Sequence, residues 1–153
     1  MNLPESFRQY GELLANNASF SHEWTSRPDG CVLSIPSQSK DGFDVRVDVG
    51  IDEATVFWGN GHSHYEVTDN IQTLVEEIFG LLRDLLSTDM RVRHYYAAGT
   101  LYWAKLEAFD GTKWSVERST GLIFWNYFGK RSVTTHSNAV LPGRLSRDPI
   151  TLP

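Results

Sequence analysis

Phe43-Asp-Val-Arg-Val-Asp-Val49 alternates an apolar and a charged residue at almost every step. Successive side chains of a β-strand point to opposite faces. Phe43, Val45, Val47 and Val49 therefore face a core, and Asp44, Arg46 and Asp48 face outward. Downstream, a turn around Gly50 to Glu53 leads into a second apolar run, Ala54 to Trp58. Asn60-Gly61 is a strong hairpin signal, because both central positions of a type I′ turn need positive φ. It returns the chain as His62 to Val67. Upstream, Cys31 to Ile35 reads as a short strand stopped by Pro36, and Ser37 to Gly42 as an exposed connection. Strands joined by such tight turns must run antiparallel.

Two helical patterns flank this meander. Residues 4–16 place Phe7, Tyr10 and Leu14 on one stripe behind an early Pro4, so a shorter N-terminal helix is expected there. Residues 18–30 read as loop, with Pro28-Asp29-Gly30 a turn. Beyond the meander, Thr68 or Asp69 is the expected cap of a long helix over about 69–87, with Gln72 completing a capping box after Asp69. Ile71, Leu74, Val75, Ile78, Leu82 and Leu85 form its stripe, widened by Phe79, Leu81 and Leu86. A second meander follows: Met90 to Ala98, a turn at Gly99, Leu101 to Phe109, a turn at Asp110-Gly111, and Lys113 to Arg118. It closes on the aromatic stretch Gly121 to Gly129. The expectation is a single α+β domain over 1–153. Its antiparallel sheet has about six to eight strands from two meanders, and residues 137–153 form an irregular tail with Pro142, Gly143, Pro149 and Pro153.

Composition narrows the class. With 41% apolar and 22% charged residues the chain is ordinary for a globular protein, and no run approaches the roughly 20 apolar residues of a membrane span. The segment after Met1 has no basic-then-apolar pattern, so no signal peptide is expected. Cys31 is the lone cysteine, which excludes an internal disulfide and suits a reducing cytoplasm. Asn17-Ala18-Ser19 fits the glycosylation pattern but carries no weight in that compartment. Charge is uneven. Residues 41–90 hold eleven acids against Arg46 and Arg83, whereas residues 91–134 hold seven bases against Glu107, Asp110 and Glu117. That asymmetry suits complementary surfaces, and equally two sheet edges of different charge.

Catalytic signatures are weak. His62 and His64 sit two apart on a strand, hence on one face, and with Tyr65 and His94 they form the most site-like polar set. His94 or Glu66 would have to complete a metal site, and the spacing matches no strong zinc pattern, so no metal or cofactor is expected. Gly59-Asn60-Gly61 lacks the third glycine and the following helix of a phosphate loop. Cys31 lies beside Val32 and Leu33, where a small buried thiol is the commoner role. Asp48, Asp52 and Glu53 make an exposed acidic corner, with none of the three carboxyls buried as acid–base work requires. No Gly-x-Ser-x-Gly elbow occurs. Arg91 and Arg93 share a strand face among aromatics, a mixture used in single-strand nucleic-acid binding. The charge of −5 and the pI near 5.5 argue against it.

The aromatic stretch Gly121 to Gly129 carries the functional expectation. Leu122, Phe124, Asn126 and Phe128 share one face, and Ile123, Trp125 and Tyr127 the other. With a neighbour such as Trp103 or Trp114, the second face would present on the order of 500 Å², the size of an interface or groove. The first helix and the tail, a protein partner or second copy, or a small molecule recognised through Asn126 or Tyr102 are the alternative covers. A cytoplasmic, non-catalytic protein-binding module or homodimer is the preferred expectation. A small-molecule-binding protein or minor enzyme using the His62, His64, Tyr65 and His94 region is the rival.

Overall fold

The computed structural model describes residues 1–121 and 128–143. Two helices and two antiparallel sheets make an α+β fold in the order of the two meanders. Helix α1 (Leu3–Ala18) precedes β1 (Glu23–Arg27), β2 (Gly30–Ile35), β3 (Val45–Val49), β4 (Glu53–Trp58) and β5 (Gly61–Glu66). Helix α2 (Ile71–Leu85) leads to β6 (Met90–Ala97), β7 (Thr100–Phe109), β8 (Trp114–Gly121) and β9 (Arg131–His136). The meanders do not merge. The first is a five-stranded sheet in sequence order, and the second a four-stranded sheet ordered β8-β7-β6-β9. Among the described residues the strands number nine, and α1 at 16 residues is no shorter than α2 at 15.

Local chemistry sets the element ends. Asn2 caps α1 in a reciprocal capping box with Glu5, and Pro4 occupies the first turn, where a missing N–H costs nothing. For α2 the cap is Asn70, whose Oδ1 accepts from the Gln72 N–H at 2.8 Å, in place of the expected Thr68 or Asp69. The first hairpin turn shifts by one residue. Trp58 pairs with Gly61, so Gly59 and Asn60 are the turn and only Gly59 of the pair takes a positive φ, 52°. Gly61 opens β5 by that pairing, and the position requires glycine because any Cβ there would collide with the Trp58 indole. Phe43 is buried ahead of β3, its N–H donating to Asn138 Oδ1 at 3.1 Å.

One cluster of buried residues takes in both helices and both sheets. Val45, Val47 and Val49 turn inward as the alternation requires, together with Leu33, Ile35, Val56 and Trp58. Helix α1 packs on this face and on α2. The Phe7 and Phe79 rings stack at 4.8 Å, Tyr10 stacks on Phe79 at 5.4 Å, and the Tyr10 hydroxyl accepts a hydrogen bond from Gln72. Leu82 and Leu85 on α2, and Met90, Val92, Leu106 and Ala108 on the second sheet, complete the core. Residues 137–143 carry no helix or regular strand, yet they tie the halves together. Ser137 N–H donates to Asp41 O, and Val140 and Leu141 N–H both donate to Leu86 O. Among the described residues no helix is long and apolar enough to cross a membrane.

Candidate functional site

The inner face of the second sheet is spent on the core, which leaves its outer face to account for. On β6 the outward residues are Arg91, Arg93 and Tyr95. Opposite them on β7 stand Glu107, Lys105 and Trp103. Strand β9 adds Thr135 beside Arg93, Val133 beside Tyr95 and Arg131 beside Ala97. Strand β8 adds Val116 beside Glu107 and Trp114 beside Phe109. Trp103 is 38% exposed, Val133 45% and Val116 52%.

Charge and aromaticity are interleaved on this face. Glu107 is only 7% exposed, and its carboxylate accepts from Arg91 Nε at 2.7 Å with Arg93 Nη1 at 3.8 Å. Arg93 Nε is buried without a hydrogen-bond partner. The Arg91 guanidinium lies 4.0 Å from the Trp114 ring centre. Arg93 and Lys105 approach Tyr95 at 5.5 and 5.1 Å, and Arg131 approaches Tyr102 at 4.9 Å. Each such contact is attractive, by about 0.5–1 kcal/mol at exposed sites. Together they hold long cationic side chains in one arrangement across four strands.

Of the residues expected at a site, Trp103 and Tyr102 meet here. Trp125, Tyr127 and Asn126 lie outside the described residues, so the aromatic-strand expectation has its described part in Gly121, Phe128 and Gly129. Trp103 packs over Gly121, whose lack of a Cβ admits the indole, and Phe128 is fully exposed. The sequence flagged Arg91 and Arg93 only as a weak nucleic-acid signal. It placed no emphasis on Lys105, Glu107 or Arg131, whose proximity depends on strand pairing.

The four residues of the rival site are distributed over different surfaces. His62 and His64 project from the exposed outer face of the first sheet. His64 Nδ1 shares a hydrogen bond with Thr55 Oγ1 at 3.1 Å, and its Nε2 lies 3.5 Å from Glu66 and 3.7 Å from Glu53. Tyr65 points to the opposite face beside Glu77 and Arg118. Burial is the main cause of its raised pKa, with Arg118 opposing. His94 is on the inner side of the second sheet, its ring 5.1 Å from His136. Its Nε2 is buried without a hydrogen-bond partner against the Gly59 turn. Burial, and secondarily His136, lowers its pKa. Among the described residues no three His, Cys, Asp or Glu side chains converge to hold a metal ion. A cleft of about 590 Å³ does open on the outer face of the first sheet, lined by His22, Glu23, Asp44, Arg46 and Phe57 among others. None of the four rival residues lines it. Arg46 is engaged there already, stacked on Phe57 at 4.3 Å and paired with Asp48 at 3.0 Å. Cys31 is buried, with its thiol pKa raised by that burial and the nearby Arg8 opposing.

No protein-family model matches this sequence, and neither a curated protein nor a solved structure is significantly similar to it.

Proposed function

We propose that this chain is a non-catalytic protein-binding module whose docking surface is the outer face of the four-stranded sheet. The observation that carries the reading is the composition of that face. Trp103, Val116 and Val133 stand exposed within a lattice of arginine–aromatic contacts. Trp, Tyr and Arg are the residues that most often carry the energy of protein interfaces. Binding costs entropy when long side chains must be ordered, and rings and Glu107 already order these arginines. The partner is another protein or a second copy of the chain. The lone, buried Cys31 supports a reducing, cytoplasmic setting for it.

The test replaces Trp103 by Thr, which keeps strand propensity and removes the central anchor. Sedimentation velocity and quantitative capture of bound proteins are then compared with the original chain. An association present in the original and lost in the variant, at unchanged circular dichroism, is the expected result. A Val116→Ser/Val133→Ser variant serves the same comparison if Trp103→Thr does not fold. Equal association in every folded variant would remove this face as the docking surface.

A further inference from the structure

We infer that the partner of this face is an acidic protein surface, one that offers Asp and Glu carboxylates to the arginine lattice; the inference rests on the reading that the face docks a protein. Arg91, Arg93 and Lys105 stand together on this face, and the carboxylate nearest them, Glu107, is buried beneath Arg91 and Arg93. The chain as a whole carries a charge of −5. The face is thus a cationic island on an acidic molecule, its sign opposite to that of the rest of the surface, so it attracts the anionic partners that the rest repels.

Two other polyanionic or protein occupants fit less well. A second copy presenting the same face would bring Arg91, Arg93 and Lys105 against their own counterparts, a like-charge juxtaposition that disfavours the pair. Single-stranded nucleic acid is held by bases stacked on open aromatic rings. Here Trp114, Tyr95 and Tyr102 are already stacked by the chain's own cations, and of the rings named on this face Trp103 is the one left open for a base. A ring covers the flat side of a guanidinium and leaves its N–H edge, and that edge is what a carboxylate binds bidentately. The acid-rich remainder of the molecule would also repel an extended phosphate backbone more than a compact acidic patch.

The test uses fluorescence anisotropy with three labelled probes. These are a 20-residue Glu-rich peptide with Tyr at every fifth position, the same peptide with Gln for Glu, and an oligothymidylate of equal charge. The Glu peptide is expected to bind, the Gln peptide and the oligonucleotide not. Raising NaCl from 50 to 200 mM should weaken the complex about tenfold, as for electrostatically steered pairs. Lys105→Glu should weaken it by a similar factor. Lys40→Glu, in the exposed loop between β2 and β3, changes the total charge equally and should alter it less than about twofold. Lys105→Ala gives the comparison in milder form if Lys105→Glu melts early.

Equal loss with Lys40→Glu, binding of the Gln peptide, or oligonucleotide binding as tight as the Glu peptide would each overturn the acidic-protein inference. If Trp103→Thr abolishes the protein association while Lys105→Glu leaves it intact, the face docks a protein by shape alone. Only the acidic chemistry fails in that case. If neither change matters, the docking reading fails as well.

Discussion

Replacing Glu107 by Gln separates the stability of the face from its binding, because the two should move in opposite directions. The carboxylate is 7% exposed, pairs with Arg91 directly across the strands, and accepts its Nε–H at 2.7 Å. Losing a charge-assisted hydrogen bond costs about 1.5–3 kcal/mol. Breaking one side of a fully buried ion pair costs roughly 3–5 kcal/mol. Full burial does not apply here, since the Arg91 and Arg93 side chains are 24% and 33% exposed and water relieves part of the stranded charge. The Gln amide oxygen also keeps one acceptor. The lower range governs, at about 2 kcal/mol. For a chain of this size that lowers the melting temperature by roughly 4–8 °C. Urea titrations of Glu107→Gln, Arg91→Met and the double variant give the coupling, which should exceed about 1 kcal/mol. Affinity for the Glu-rich peptide should meanwhile rise, because a competing carboxylate has gone. A variant within about 0.5 kcal/mol of the original, or strictly additive losses with Arg91→Met, would show that Glu107 does not organise the arginines.

Two further expectations concern the frame of the fold. Gly61→Ala should destabilise by about 1–3 kcal/mol, because the new Cβ meets the Trp58 indole, which is 1% exposed and has no room to move. Urea unfolding measures it, and a neutral result would mean that the hairpin relaxes freely. For His94 the folded pKa lies below its ordinary value, chiefly through burial, so the unfolded chain binds the proton more readily than the folded one. Stability is then fully present above pH about 6.5 and declines as pH falls through that unfolded value. Midpoints at pH 7.5 and 5.0 should differ less in His94→Gln than in the original chain. An unchanged pH dependence in that variant would clear His94 of the role.

How much was legible in the sequence follows burial. Strands β3 and β4 showed themselves because one face of each is core and the other is wet, so hydrophobicity alternates. The α+β class, both helices and both meanders follow from the same contrast. Strands β1 and β9 escaped notice for the converse reason. Glu23–Arg27 sends only Trp24 toward the core, and Arg131–His136 is exposed except at His136. An edge strand can be held by backbone hydrogen bonds alone, and a backbone leaves no trace in the residue pattern. The α2 cap falls on Asn70 and not on the expected Thr68 or Asp69 because all three side chains can cap a helix, and only geometry chooses among them.

The proposed docking face was illegible for a deeper reason, which lies in register. Ala98 and Gly99, both at positive φ, turn β6 into β7 and pair Ala97 with Thr100. Counted evenly from that turn, Arg91 would stand opposite Leu106 and Arg93 opposite Ala104. Cations would then share a face with core residues, since a one-residue slip exchanges the two sides of a strand. The bulge at Tyr102 inserts one residue and corrects the count. Beyond it Trp103 meets Tyr95, Lys105 meets Arg93, Glu107 meets Arg91, and Val92 meets Leu106 in the core. A second bulge at Glu117 does the same for β8, keeping Val116 on the outer face while Arg118 turns inward beside Leu106. Bulges recur where a sheet must re-aim side chains. Here the same inserted residue, Tyr102, also lies under the Arg131 guanidinium. The irregularity that hid the face from a period-two reading is therefore what brings Arg91, Arg93, Lys105 and Glu107 to one side of the sheet.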